Sequence, residues 1–227
     1  MITKEDLLGM SRRDLKGTLA KGHPIEAEEL SNREYHGISL GLPRWAEKLS
    51  WKKFKKVFRR EQFGGLRGWN VAVVDNSRLS PGPAGSVGRD SSTGNLCFES
   101  ASVALRPRNG LDEDWIDAKR GNVPITYWHY VVVPAQGHLL PGPYEEGLLI
   151  HYGWGGNSRL STMRPIRDPL LAVNEGSNEL LLGYSYLDFG FARFDTPTFF
   201  CLIRGGPLNY DVPPPRTQHF PERTGDE

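Results

Sequence analysis

The second half of the chain is written in apolar, aromatic-rich runs that stop at turn residues and begin again, over 125–134, 147–154, 178–189 and 193–204. Runs this short, crowded with Tyr, Val, Leu and Phe, have the length and residue preference of strands. Their close succession predicts an antiparallel meander around one core. Residues 68–75, 96–105 and 166–173 read the same way, so about seven strands are expected. A Gly, Pro and Ser-rich loop is expected over 76–95.

Alternation sets which side chains share a face. In the run Tyr127-Trp128-His129-Tyr130-Val131, strict alternation puts Tyr127, His129 and Val131 on one side and Trp128 and Tyr130 on the other, and both sides are bulky. Leu148, Ile150, Tyr152 and Trp154 align, leaving His151 opposite, and Leu180, Leu182, Tyr184 and Tyr186 align as well. Two architectures produce this pattern: a barrel with helices against its outer face, or a two-layer sandwich. A barrel of about eight strands is near the size at which its interior is either a small-molecule chamber or a filled core. For the chamber, Tyr127, His129, Tyr152, Tyr184 and Tyr186 are the expected lining. Arg167 is the candidate clamp for an acidic headgroup, with Asp168 steadying its guanidinium; a surface ion pair is the alternative.

The first 66 residues read differently. Thr3 can cap a helix starting near Lys4, with Asp6 completing a capping box and Leu7, Leu8, Leu15 and Leu19 forming an apolar stripe. Tyr35 to Leu40 is an extended candidate. Between Arg44 and Arg60 the residues Trp45, Leu49, Trp51, Phe54, Val57 and Phe58 recur at helical intervals, with Lys52, Lys53, Lys55, Lys56, Arg59 and Arg60 on the other face. The expected organisation is therefore a helical segment over 1–66 packed on a barrel over 67–205, followed by a Pro-rich, poorly ordered tail over 206–227.

Composition narrows the chemistry. Twenty-eight basic residues against 27 acidic ones leave a net charge of +1, unlike a general nucleic-acid binder, and no partner of that kind is expected. Any anion affinity must be local; a basic helix from Trp45 to Arg60 offers contact with an anionic membrane or an acidic protein, or is simply solvated. Cys97 and Cys201 each fall inside an expected strand, as small buried hydrophobes, and no signal-peptide pattern is visible, so a cytoplasmic setting is expected. The histidines at 23, 36, 129, 138, 151 and 219 have no metal-ligand spacing. No nucleophile-elbow motif occurs, and Gly153-Trp154-Gly155-Gly156-Asn157 reads as a tight turn, so neither a metal nor a cofactor is expected.

Asp14-Leu15-Lys16-Gly17, Gly22-His23-Pro24, Tyr35-His36-Gly37, Leu181-Leu182-Gly183-Tyr184-Ser185-Tyr186 and Phe199-Phe200-Cys201-Leu202 together resemble small bacterial lipocalin-like domains of uncharacterised function. True lipocalins place a Gly-x-Trp signature at their first strand, whereas Gly68-Trp69 lacks the intervening residue. The resemblance implies an antiparallel β-barrel with N-terminal helices packed against it. The expected function is non-catalytic binding of a small apolar molecule, lipid-like or polycyclic and with or without an acidic headgroup, inside the barrel. The alternative is a barrel isomerase, cyclase or dehydratase using His129 or His151 as base.

Overall fold

The apolar runs are realised as a closed antiparallel barrel in a computed structural model that describes residues 1–41, 53–74 and 115–221. Around the barrel the strands follow one another as β1 (Arg33–Leu40), β10 (Arg193–Pro207), β9 (Ser177–Asp188), β8 (Ile166–Asn174), β7 (Leu148–His151), β6 (Thr126–Pro134), β3 (Leu66–Ala72) and β2 (Lys53–Arg60), and β2 pairs back onto β1. A two-stranded ladder of β4 (Lys119–Arg120) and β5 (Val123–Pro124) precedes β6. All barrel pairings are antiparallel, consistent with a lipocalin-like architecture, and closure removes the exposed edges a sheet would otherwise carry.

Two expectations are corrected at the N-terminal side. β1 and β2 both lie within 1–66, so the barrel begins at Arg33 and not at 67. The helix expected from Arg44 to Arg60 is a strand over Lys53–Arg60, while residues 42–52 lie outside the described residues. Its lysines do not form a solvated face: Lys55 and Lys56 are buried. Arg60 pairs with Glu28 at 2.5 Å, and Arg59 lies 3.9 Å from Asp211. The strand period was masked because a lysine occupies an interior position between Phe54 and Phe58. The strand expected over 96–105, the loop over 76–95 and Cys97 also lie outside the described residues.

The two faces of the barrel wall bury separate clusters. Inside are Tyr35, Phe58, Leu66, Tyr130, Val132, Leu148, Ile150, Tyr152, Leu170, Ala172, Leu181, Phe200 and Leu202. Ile25 and Leu30 join them from α3 (Ala27–Leu30) and the residues just before it, stopping the end of the barrel where β1 starts. On the outside, Ile38, Leu40, Leu149, Leu171, Val173, Leu182, Tyr184, Tyr186 and Phe199 are covered by Leu7, Leu15 and Leu19 of α1 (Lys4–Gly9) and α2 (Arg12–Leu19). Thr3 with Asp6, and Ser11 with Asp14, form the capping boxes that start these helices, the first as the sequence predicts.

The C-terminal segment also lies against the barrel, correcting the expectation of a poorly ordered tail through residue 221. Leu208, Tyr210 and Val212 pack on Val57, Trp69 and Val71, and the Leu208 amide donates to Asn32 O at 2.8 Å. Buried Arg67 holds this segment by pairing with Asp211 at 2.7 Å and donating to Val212 O at 2.7 Å. Further along, the His219 amide donates to Trp154 O at 3.0 Å.

Three glycines make room for the interior aromatics. A Cβ on Gly37 would lie 2.3 Å from the Phe54 ring, one on Gly68 would lie 2.3 Å from the Tyr130 ring, and one on Gly183 would lie 2.1 Å from the Phe200 ring. Each ring lies across a bare stretch of the neighbouring strand, which a methyl group would occupy. Gly183→Ala is therefore expected to destabilise the fold by ~1–3 kcal/mol through overpacking. Adding Phe200→Leu should recover part of the loss in a thermal melt, whereas an unchanged melting temperature for Gly183→Ala would contradict this packing.

Candidate functional site

Interior register brings one lysine to the waist of the barrel. Phe54, Lys56 and Phe58 alternate inward along β2, and Gly68 and Asn70 do so on the facing β3. Lys56 is 2 % exposed, and its Nζ lies 4.8 Å from the Tyr130 ring centroid, 5.1 Å from Tyr152, 5.2 Å from Phe200 and 5.7 Å from Phe54. Rings at this distance attract a desolvated cation by roughly 2 kcal/mol in favourable cases. The glycines that seat three of these rings therefore also build the cage around the ammonium.

The remaining neighbours are polar. Lys56 Nζ donates to the Tyr152 hydroxyl at 2.6 Å and to Asn70 Oδ1 at 3.2 Å, and lies 3.7 Å from Asp168 Oδ2. Tyr152 in turn donates to the same carboxylate oxygen at 2.9 Å. The phenol thus bridges cation and anion, which stand slightly too far apart for a direct hydrogen bond. Asp168 Oδ1 is buried without a hydrogen-bond partner among the described residues. Burial drives the Lys56 pKa down to about 8 against the opposing pull of Asp168. Burial also raises the Asp168 carboxyl, opposed chiefly by Lys56, and holds the Tyr152 phenol well above its ordinary value.

A bulge decides where the β6 candidates go. Gly68 pairs with Tyr130 but Asn70 pairs with Tyr127, so Trp128 and His129 together oppose Trp69, and Trp128 takes φ 51°. Tyr127 therefore shares the inner side with Tyr130, and His129 turns outward beside Trp69, with ring centroids 6.1 Å apart. Strict alternation had placed Tyr127 and His129 together.

Of the six candidates, Tyr127 and Tyr152 face the interior. Tyr184 and Tyr186 belong to the outer cluster, the latter donating to Leu139 O at 3.3 Å. Arg167 also points outward: its Nη1 donates to Arg164 O at 2.7 Å and Ile166 O at 2.8 Å, while the adjacent Asp168 faces inward. Asp168 therefore does not steady Arg167; it serves Lys56. His151 is outside too, stacked on Trp154 at 3.8 Å with its Nδ1 accepting from the Trp154 amide. Sequence reasoning missed Lys56, Asn70 and Asp168 as a unit. The one available signal was a lysine flanked at two-residue intervals by phenylalanines, which also fits a helix.

Towards the loop end, the inward positions Ser39, Phe54, Tyr127, Ile166, Ser185 and Thr198 are only half-buried. The wall is thus apolar and sealed below the ammonium, and more accessible and mixed above it. Comparison with protein-family models, curated proteins and solved structures finds no match for the chain. No helix among the described residues is long and apolar enough to cross a membrane, and no cluster of potential metal ligands occurs among them.

Removing one member of the central pair leaves an uncompensated buried charge. Lys56→Met is expected to cost ~3–5 kcal/mol, whereas Lys56→Met with Asp168→Leu should return to near wild-type stability or exceed it. Chemical denaturation of the two variants tests the pairing, and an equally unstable double variant would count against it.

The outer histidines predict acid lability. Burial, assisted by Lys55 for His36 and by Arg67 for His129, lowers both pKa values to about 4, and burial with Arg167 lowers His151 to about 3. In the unfolded chain these imidazoles take their proton near 6.5. Between the two values the unfolded chain binds more protons, so stability falls as pH drops below about 6.5. His129→Gln should flatten the decline of melting temperature between pH 6.5 and 4; an unaltered slope would mean that His129 does not contribute.

Proposed function

We propose that the protein binds a small, mainly apolar molecule carrying an acidic group, held in the loop half of the barrel with the acid directed at Lys56. The observation that carries this reading is the desolvated ammonium in its aromatic cage. A buried ion pair contributes little to stability relative to apolar residues of the same volume, so its presence at the waist calls for a reason beyond folding. Lys56 replaces Arg167 as the counter-charge, and the half-buried ring of Phe54, Tyr127 and Ile166 supplies apolar contact above it. Affinity arises from that contact area at ~25 cal/mol per Å², with the headgroup setting selectivity.

A second reading rests on the same residues: Lys56, with its pKa of about 8, and the bridging Tyr152 could shuttle a proton in an isomerisation or dehydration. His129 and His151, both outside the barrel, have no part in it. A cytoplasmic setting belongs to the proposal as well, supported by Cys201, a buried free thiol.

Native mass spectrometry of the purified chain with long-chain fatty acids and their methyl esters tests the binding reading. The acids should be retained in preference to the esters. The double variant Lys56→Met, Asp168→Leu should lose that preference while remaining folded. Retention of neither class by the wild-type protein would overturn the proposal.

A further inference from the structure

We infer that the outer surface beside the β7 end carries a second site, for a phosphate monoester or free phosphate. The cavity there has a volume of about 430 Å³, and its lining includes Gly156, Asn157, Arg159, Arg164, Arg216 and Thr217. No carboxylate belongs to this lining among the described residues. None of the three arginines has an acidic partner among the described residues, whereas Arg60, Arg67, Arg193 and Arg204 are each paired with one.

A second surface cavity, of about 390 Å³, shows the contrast. Its lining contains Glu34 and Asp117, and Lys55 pairs with both, at 3.3 and 2.6 Å. There charge is balanced within the protein; around Arg159, Arg164 and Arg216 no described residue supplies a balancing charge, which leaves the three guanidiniums available to an external anion. Guanidinium forks match tetrahedral oxyanions bidentately, and the lining includes a hydroxyl residue, Thr217.

The walls are held independently of any ligand. Asn157 accepts from the His129 amide at 3.1 Å and donates to His129 O at 2.6 Å and Tyr152 O at 2.8 Å, which pins the loop to the barrel. Gly155 lies so close to the His129 carbonyl that a Cβ would come within 1.9 Å of its oxygen. At Gly156, with φ 79°, a Cβ would lie 2.4 Å from the Arg216 carbonyl oxygen. Gln218 donates to Gly155 O at 3.3 Å and the His219 amide to Trp154 O, so the tail forms the second wall. The recognition groups thus come from two segments far apart in sequence but fastened together, so the backbone is in place before the anion arrives and only the arginine side chains remain to be ordered.

The test is calorimetric titration of the full chain with inorganic phosphate, alongside flotation with vesicles of neutral lipid with and without phosphatidic acid. Saturable phosphate binding is expected, weakened at least about tenfold in Arg164→Ala/Arg216→Ala, with Arg216→Lys intermediate because lysine lacks the fork. Arg216 is exposed, so Arg216→Ala alone provides a folded control and should weaken binding in the same direction. Phosphate binding together with phosphatidic-acid-dependent flotation would place the group on a lipid; phosphate binding without flotation would place it on a free metabolite. Absence of phosphate binding by the wild-type chain, or equal binding by the arginine variants, overturns the inference.

Discussion

The cage of rings around the Lys56 ammonium is the contact on which the barrel's interior depends. A closed barrel of eight strands encloses a narrow volume that side chains alone can fill. Here Phe54, Tyr130 and Phe200 reach the axis only because Gly37, Gly68 and Gly183 leave the neighbouring strands bare. Once there, they present π-faces to a charge that an aliphatic interior would expel. Taking an ammonium and a carboxylate out of water costs several kcal/mol each, and no single neighbour offsets this. The rings, the Tyr152 bridge and Asn70 together offset part of it: burial still shifts the Lys56 ammonium pKa down and the Asp168 carboxyl pKa up, and one oxygen of Asp168 has no hydrogen-bond partner among the described residues.

Both faces of the wall are buried, and that explains the composition of the strands. The helices, the segment around Tyr144 and the tail cover the outside, so the middles of β8 and β9, Pro169 to Val173 and Leu180 to Tyr184, read as unbroken apolar runs. This two-sided burial lets Tyr184 and Tyr186 pass for chamber residues in the sequence: they are aromatic, aligned and in the right strand, but their register with Arg167 puts them outside.

The legible part of the fold was the part governed by local pattern. The strands after 125, the Thr3 capping box and the glycine turn at 153–157 follow from side-chain preference and turn chemistry. β1 was visible as an extended candidate. β2 was not, because an inward lysine between two phenylalanines imitates a helical interval, and only cross-strand neighbours reveal that Lys56 is caged. The β6 bulge was hidden for a related reason. Trp128 adopts a left-handed backbone conformation without a glycine to announce it, and that one residue exchanges the sides expected for Tyr127 relative to His129. Of the six candidate residues, two face the barrel interior, because side is set by register and register is non-local.

The short turn after β7 joins the two regions where charge is concentrated. Tyr152 begins it, pointing inward with its hydroxyl on Lys56 and Asp168. A few residues later, Gly156 and Asn157 line the arginine-rich cavity outside. Asn157 Nδ2 bonds the Tyr152 carbonyl directly, so the outer wall and the inner phenol share a hydrogen bond and five residues of backbone. Close packing permits little independent motion over that distance. A displacement of the turn large enough to reshape the outer cavity must therefore shift the backbone that carries Tyr152, and with it the group that bridges a cation and an anion 3.7 Å apart. The bridging phenol, set between opposite charges in a desolvated interior, is where a small movement changes the electrostatics most.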